Sequence, residues 1–434
     1  KNNIENIIQY ASTKKLHIGV NISGRAKTKS NLLHLFFNDL VSIEDIDKIL
    51  EVLKNFDDKP LENKINELDS IPKELLSSKS NNLPQISTEK IKEFYFQLSK
   101  LNVSPDENIY PLGSCTMKYN PYINDYTASL NGFTQSHPEA PIDDVQGSLE
   151  VLYEIQEYFK NITGLPGVTT QPVAGAQGEL VGIKMFQAYH AAKGEQRDVI
   201  LIPKSAHGTN PATATMAGIE TGKDKGIVNI DADENGQINM EQIKEEIKKY
   251  GKRILGVMVT NPNTSGIFES NFKEMADLIH GIDALVYMDG ANMNAIAGIV
   301  DLKKLGVDAV HNNLHKTWTI PHGGGGPGDA IVAVSEKLIP YLPGHQIIKN
   351  QHEKYELIKT EKSIGSFHRH FGNFAHKVRC LTYLKALGSE GVRKMSEMAV
   401  LSSVYLFERL NKLYPTLPSE TEKIPRMHEF IITL

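Results

Sequence analysis

The chain has 434 residues, 40% of them hydrophobic, and a formal net charge of -5. This composition excludes a disordered tail or a small disulfide-stapled scaffold, and the length favours two or three folding units. Lys and Arg (47) nearly balance Asp and Glu (52), only two cysteines are present, and no apolar run reaches the roughly 18 residues of a bilayer span. We therefore expect an intracellular protein that binds neither nucleic acid nor a membrane.

The N-terminal part of the chain alternates short elements with polar connections. Residues 32–56 predict a short strand and then a helix, with Ser42 as the N-cap and Asp45 at the capping-box position. Residues 57–84 are polar and rich in turn-forming residues, which predicts a linker or an extended arm. A helix follows, and the Pro- and Gly-broken segment 110–121 predicts a loop.

The central part alternates apolar runs with amphipathic helices. Helices are predicted over 141–163, from 175 to about 192, and over 240–250. Short β-branched runs predict strands at 198–203, 254–260, 284–289, 308–313 and 330–334. Continuous apolar strands separated by amphipathic helices predict an α/β fold with a mostly parallel sheet flanked by helices.

The last part predicts a smaller α+β piece with a long helix near 391–413 and a final strand. The expected domain organisation is a closing segment at 1–56, an N-terminal arm and loop at 57–140, a large domain at 141–335 and a small domain at 336–434. The chain begins with Lys1 and stops inside the apolar run HEFIITL, so we expect the small domain to be truncated.

Two residues at predicted strand ends suggest chemistry. Asp289 ends one strand, and Lys316 follows the next strand along the chain. In an open parallel sheet, ligands bind outside the carboxyl ends of the strands. A strand-end carboxylate and a later lysine suit a pyridoxal-phosphate site, in which the Asp keeps the pyridine nitrogen protonated and the Lys forms the Schiff base. On spacing alone, a helix-capping aspartate and a surface lysine remain the alternative.

Two further patterns lie earlier in the chain than Asp289 and Lys316. The segment GAQGE, which includes Ala176, Gln177 and Gly178, opens a predicted helix, where backbone N–H groups could meet a phosphate. His207 directly follows a strand, where its imidazole could stack on a flat ring. Taken singly, each is equally compatible with an ordinary helix start or an ordinary loop-end histidine.

A metal site and a nucleotide loop are not expected. His311, His315 and His322 lack an HExxH pattern and a carboxylate at ligand spacing. The glycines at 323–326 are not followed by Lys-Ser/Thr, so they predict a tight turn beside the Lys316 strand rather than a P-loop.

Long, ordered segments of the chain closely resemble the P-protein family of the glycine cleavage system, glycine dehydrogenase (decarboxylating). The segments are YPLGSCTMKYNP (110–121), QPVAGAQGE (171–179), SAHGTNPATATMAG (205–218), TNPNTSGIFE (260–269), YMDGANMNA (287–295) and HNNLHKTWTIPHGGGGPG (311–328). The resemblance runs from about Ile71 to Leu434 and is to the second, lysine-bearing subunit or half. Residues 32–56 resemble the end of the first half. Trp318 stands where the family's motif leads us to expect Phe, and we expect Lys316 to be unaffected.

The resemblance implies a fold-type-I pyridoxal-phosphate enzyme that decarboxylates glycine and passes the aminomethyl group to the lipoyl arm of the H-protein. By position it implies Lys316 as the Schiff-base lysine, Asp289 as the partner of the pyridine nitrogen and His207 as the stacking ring. The other cofactor-binding positions that it implies are Ala176, Gln177, Gly178, Thr264, Ala291 and His315.

The implied partners are glycine, the lipoylated H-protein and the first P-protein subunit or half, in an oligomer. The implied compartment is the bacterial cytoplasm, or the mitochondrial matrix in a eukaryote. Two other interpretations stay open: another fold-type-I enzyme, such as an aminotransferase or amino-acid decarboxylase, and a non-catalytic partner half. The presence of both Asp289 and Lys316 argues against the second of these.

Overall fold

The structure is a computed structural model. It describes residues 2–14, 16, 19–20, 33–34, 41–56, 71–77, 79, 82–104, 107–108, 120–137, 140–220, 222, 225–322 and 328–433. Most of the predicted loop at 110–121, most of the predicted linker at 57–84 and the glycines at 323–326 lie outside these residues. The chain divides into two compact units, Lys1–Phe94 and Tyr95–Leu434. Within the described ranges, no helix is both long enough and apolar enough to cross a bilayer.

The first unit contains two helices and a short antiparallel strand pair. They are α1 (Asn2–Thr13), β1 (Gly19–Val20), β2 (Leu33–His34) and α2 (Ile43–Lys54). The predicted capping box is confirmed: the Ser42 hydroxyl accepts from the Asp45 N–H at 3.2 Å, and the Asp45 carboxylate accepts from the Ser42 N–H at 3.1 Å. The boundary between the units falls within α3 (Thr88–Ser99).

The second unit is built on a seven-stranded sheet. Its elements through the sheet are α4 (Tyr122–Ala128), α5 (Asn131–Thr134), α6 (Gln146–Thr163), β3 (Gly167–Thr169), α7 (Gly175–Ala191), β4 (Val199–Pro203), α8 (Thr209–Met216), β5 (Gly226–Ile230), α9 (Met240–Tyr250), β6 (Ile254–Thr260), α10 (Phe272–Gly281), β7 (Leu285–Asp289), α11 (Leu302–Leu305), β8 (Ala309–Asn313) and β9 (Ala330–Val334). The strand order is β3-β9-β8-β7-β6-β4-β5. Neighbours from β5 to β8 pair in parallel, whereas β9 runs antiparallel to β8 and β3. The predicted mostly parallel α/β sheet is therefore confirmed.

The C-terminal part adds a hairpin, a long helix and a short strand pair: β10 (His345–Lys349), β11 (Tyr355–Lys359), α12 (Phe374–Leu410), β12 (Thr416–Leu417) and β13 (Ile431–Ile432). The helix predicted near 391–413 corresponds to the part of α12 that follows Gly388, where the backbone is not helical (φ 64°, ψ -178°), whereas the part from Phe374 to Gly388 was not predicted. The division of the chain at 56, 140 and 335 stays a prediction.

Apolar residues pack on both faces of the sheet. One cluster joins strand residues such as Val257 to α6, α9, α10 and α12. The other joins neighbouring strand residues such as Met258 to α7 and α8. Because successive side chains of a strand point to opposite faces, helices bury both faces of the sheet. The carboxyl ends of β4, β6, β7 and β8 lie at one edge, which is where the predicted site residues follow the strands.

Candidate active site

Asp289 is the last residue of β7, and its side chain is buried, with 2% of the residue exposed. One carboxylate oxygen accepts the Ala291 N–H at 2.9 Å and lies 3.2 Å from His311 Nε2. The other accepts from the Asn210 amide at 3.1 Å and lies 3.4 Å from the Thr260 hydroxyl. A buried carboxylate with this many donors is well suited to remain ionised.

The electrostatics of Asp289 agree with its hydrogen bonds. Burial by itself raises the pKa of the carboxyl, but His311, the Ala291 N–H, Asn210 and Lys316 outweigh burial and lower the pKa below its ordinary value. Lys316 follows β8 in a turn and is half-buried. The charge of Lys316 is therefore one of the contributions that lower the pKa of Asp289.

The predicted phosphate loop forms the start of α7. Ala176 and Gln177 lie in the first turn, where backbone N–H groups have no acceptor within the helix. The Gln177 side chain accepts from the Val173 N–H at 2.9 Å and donates to the Phe367 carbonyl at 3.3 Å. Gly178 is buried, and a Cβ there would lie 2.8 Å from the Cβ of His311. Gly178 therefore allows α7 to approach β8 closely, a packing role that the sequence prediction did not include.

His207 and Thr264 lie on two loops at the same edge of the sheet. His207 is exposed, and its Nδ1 accepts from the Thr209 N–H at 3.2 Å. The Thr264 hydroxyl donates to the Ser205 carbonyl at 2.8 Å, which ties the two loops together. Among the described residues, no hydrogen bond joins either side chain to Asp289.

Ala291 and His315 occupy different surroundings. Ala291 contacts Asp289 through its backbone N–H, and its side chain plays no part in that bond. His315 Nδ1 accepts from the Asp329 N–H at 3.4 Å, and its ring lies edge-on to His322 with centroids 5.6 Å apart. His315 thus connects the turn that contains Lys316 to the start of β9.

The segment that precedes α12 closes over the start of α7. The Phe367 N–H donates to Gln171 at 2.8 Å, and its carbonyl accepts from Gln177. A cleft of about 270 Å³ opens beside this contact. Its lining includes the polar side chains of Thr170, Gln171, His345, Ser366, Arg369 and His370. A cleft lined by both polar and apolar side chains, the latter including Leu357 and Phe371, therefore lies beside this contact.

The sequence analysis assigned no role beside Asp289 to several residues that surround it. They are Glu179, Asn210, Thr213, Thr260, Tyr287 and His311. Glu179 is buried and accepts from the Thr209 and Thr213 hydroxyls at 2.7 and 2.8 Å. Donor atoms of Glu179, Asp289 and His311 lie within 4.8 Å of one another. The signal that points to a partner for His311 is a histidine inside a fully buried strand, since a buried polar side chain requires a partner.

A buried ion pair was also missed. Lys377 on α12 lies 2.5 Å from a carboxylate oxygen of Asp329, and neither side chain is exposed to solvent. Burial raises the pKa of Asp329 to about 7, although Lys377 opposes that effect. The pair attaches α12 to the residue that directly precedes β9.

The fold of this chain is shared with enzymes of known structure. The chain shares its fold with a solved glycine decarboxylase (P-protein) of the glycine cleavage system, at a TM-score of 0.63 and 19% identity, over 87% of this chain and 82% of that one. A glutamate decarboxylase from Lactobacillus brevis CGMCC 1306 aligns with a TM-score of 0.55 and 12% identity, over 79% and 78%. The fold is that of the fold-type-I pyridoxal-phosphate enzymes, as predicted.

Sequence comparison narrows the class to a family. The family model for the glycine cleavage system P-protein matches residues 44–356. The probable glycine dehydrogenase (decarboxylating) subunit 2 of Chlorobium chlorochromatii (strain CaD3) is 43% identical over 84% of this chain and 73% of the relative. The subunit of that name from Halalkalibacterium halodurans is 44% identical over 84% and 72%. The chain belongs to the glycine cleavage system P-protein family, an enzyme family, and the resemblance found in the sequence is confirmed.

Proposed function

We propose that this chain binds pyridoxal phosphate at the carboxyl edge of the sheet and decarboxylates glycine. In the proposal it passes the aminomethyl group to the lipoyl arm of the H-protein and acts with a first P-protein subunit. The observation on which the proposal mainly depends is the buried, ionised Asp289 within electrostatic range of Lys316. Membership of the P-protein family and the names of the relatives support the choice of glycine.

The residues present fit the cofactor. A buried carboxylate with a lowered pKa is the expected partner for a protonated ring nitrogen. The first turn of α7 offers backbone N–H groups to a phosphate. Among the described residues, Asn210 Oδ1, Asn261 Nδ2 and Asn313 Oδ1 are buried without a hydrogen-bond partner, so a bound ligand has polar atoms to satisfy.

The roles of the chain's own residues follow from these positions. When bound, pyridoxal phosphate supplies the electron sink for the electron pair that remains when CO₂ leaves. Asp289 holds the proton on the ring nitrogen, and Lys316 provides the amine that holds the cofactor covalently. Gln177, Ala176 and Gly178 line the phosphate end, and His207 covers the ring face. Thr264 holds its loop against the loop that contains His207.

The cofactor claim is tested by spectroscopy and peptide mapping. Purified protein with added pyridoxal phosphate should show the visible absorbance band of a cofactor bound to a lysine, and borohydride should abolish it. The reduced adduct should map to Lys316, and Lys316→Ala should lose the band. Lys304→Ala, an exposed lysine on α11, is the matched control and should keep it. An adduct on another lysine would contradict the assignment.

The reaction is tested by exchange of labelled CO₂ into the carboxyl group of glycine. We expect exchange when the first subunit and lipoylated H-protein are supplied, and much less without them. Transamination of glycine or another amino acid with a keto acid, with no lipoyl carrier present, would instead place the protein among the aminotransferases.

A further inference from the structure

Behind Asp289, three side chains form a hydrogen-bonded group that we name the buried triad: Tyr287, His311 and Asp289. The Tyr287 hydroxyl lies 2.8 Å from His311 Nδ1, and His311 Nε2 lies 3.2 Å from an Asp289 oxygen. None of the three residues is more than 2% exposed. The imidazole therefore bridges a phenol and the carboxylate on which the proposed function depends.

The register of the sheet accounts for this alignment. Tyr287 and Asp289 are two residues apart on β7, so their side chains share one face of the sheet. In the parallel pairing of β7 with β8, His311 is the register partner of Asp289. The sheet thus aligns all three side chains on the face that is covered by α7.

Two glycines of α7 make room for the triad. A Cβ at Gly178 would lie 2.8 Å from the Cβ of His311, and a Cβ at Gly182 would overlap the ring of Tyr287. Positions four residues apart share a helix face. Glycine is unfavourable inside a helix relative to alanine, so the two glycines on this face lower the stability of α7. Their presence is explained by the space that the rings of His311 and Tyr287 require.

The chemistry of the groups assigns the hydrogen-bond directions. An ionised carboxylate only accepts, so His311 Nε2 presents its N–H to Asp289. In the neutral imidazole Nδ1 is then an acceptor, and the Tyr287 O–H donates to it. Glu179 also faces this group, but its oxygens accept from two threonine hydroxyls. Burial, then the charges of Glu179 and Asp289, raises the pKa of Tyr287 well above its ordinary value, so the phenol keeps the proton that it donates.

We propose that Tyr287 and His311 are positioning residues for Asp289: the Tyr287 hydroxyl donates to Nδ1 and so supports the His311 tautomer that donates to Asp289, and His311 holds the carboxylate ionised and oriented towards a cationic ring nitrogen. The inference rests on the proposed function where it names that ring as the pyridine of pyridoxal phosphate. The hydrogen-bonded arrangement itself does not depend on any ligand.

The first test uses the cofactor-free protein. In protein labelled with ¹⁵N-histidine, NMR should show His311 with its proton on Nε2, the signal being assigned by its loss in His311→Gln. Tyr287→Phe should shift the His311 Nδ1 signal, because that nitrogen loses its hydrogen-bond donor, and Tyr250→Phe, another buried tyrosine, should not. A proton on Nδ1 alone in the wild type, or an unchanged His311 signal in Tyr287→Phe, would overturn the inference.

The second test measures ligand binding through the fluorescence of Trp318, the single tryptophan of the chain, which is buried two residues after Lys316. The ligands are pyridoxal phosphate and its carbocyclic analogue, in which C–H replaces the ring nitrogen. Tyr287→Phe should weaken binding of pyridoxal phosphate on the order of tenfold, as expected for a lost buried hydrogen bond. Binding of the analogue, and both affinities of Tyr250→Phe, should be unchanged.

A pair of His311 variants separates positioning from folding. His311→Gln keeps an N–H donor for Asp289 and should retain most of the affinity, whereas His311→Leu should behave like Tyr287→Phe or worse. Equal loss of affinity for both ligands would show that the triad only maintains the fold, and would refute the inference. If the wild type binds neither ligand, the proposed function fails, and the NMR result alone decides whether the triad exists.

Discussion

Replacing Lys377 by Met should strongly destabilise the second unit at alkaline pH. The Lys377 amine lies 2.5 Å from an Asp329 oxygen and 3.3 Å from the Ala330 carbonyl, with both charged side chains fully buried. The substitution leaves the Asp329 charge buried without its cation. Loss of one partner of a buried pair costs about 3–5 kcal/mol of unfolding free energy.

The sign of the pH dependence follows from Asp329. Its pKa is about 7 in the folded protein and 3.8 for an ordinary aspartate, and burial is the main cause. Between these values the folded state binds a proton that the unfolded state lacks, so stability falls as pH rises through this window. Without Lys377, the pKa of Asp329 in the folded protein rises further. The pH range over which stability falls therefore extends to higher pH. The cost of Lys377→Met should therefore be larger at pH about 8 than at about 5.

Lys385→Met is the matched control. Lys385 lies on the same helix and pairs with Glu154 at 2.7 Å, but its side chain is 50% exposed. Its loss should cost at most about 1 kcal/mol at either pH. Urea unfolding followed by Trp318 fluorescence would measure all three proteins. If Lys377→Met and Lys385→Met differ by less than about 1 kcal/mol at alkaline pH, the buried pair does not have the predicted importance.

Three further substitutions test other parts of the structure. Asp289→Asn should retain bound pyridoxal phosphate but lose on the order of 10²-fold in glycine–CO₂ exchange, because an amide cannot keep the ring nitrogen protonated; exchange at the wild-type rate would contradict this role. Burial raises the pKa of Glu269 from 4.5 to about 7, so stability should fall by about 3 kcal/mol as pH rises across that window. Glu269→Gln should flatten that part of a denaturation-against-pH profile, and an unchanged slope would count against the shift. Gly182→Ala should lower the melting temperature, because its Cβ would overlap the ring of Tyr287. Gly147→Ala is the control, since a Cβ there has nothing within 4 Å, and an equal melting temperature for the two variants would contradict the prediction.

The sheet could be predicted closely because its strands are short, continuous apolar runs that are buried on both faces. The strands at 254–260 and 330–334 have the predicted bounds. The C-terminal helix predicted near 391–413 matches the part of α12 after the break at Gly388, whereas the part from Phe374 to that break was not predicted. The sequence pattern therefore identified the helix after Gly388 but not the helix that precedes it.

Asp289 and Lys316 could be predicted because strand ends are visible in the sequence. The groups that lower the pKa of Asp289 could not be identified as its neighbours from the sequence. Their proximity depends on the register of the sheet and on crossovers between strands. Asn210 is 79 residues away in the chain and yet donates to the Asp289 carboxylate. No contact between His311 and Asp289 was predicted, since nothing local shows that His311 is the register partner of Asp289.

Gly178 shows that a residue in a sequence motif at the carboxyl edge of the sheet can have two roles. Its place in GAQGE predicts close approach of backbone to a phosphate, but the structure adds a second constraint, because a Cβ there would press on His311. A Gly178→Ala variant would therefore disturb the buried triad together with any phosphate contact, and its phenotype could not be assigned to either. Gln177, whose side chain contacts Val173 and Phe367 instead, is the better position at which to test phosphate binding.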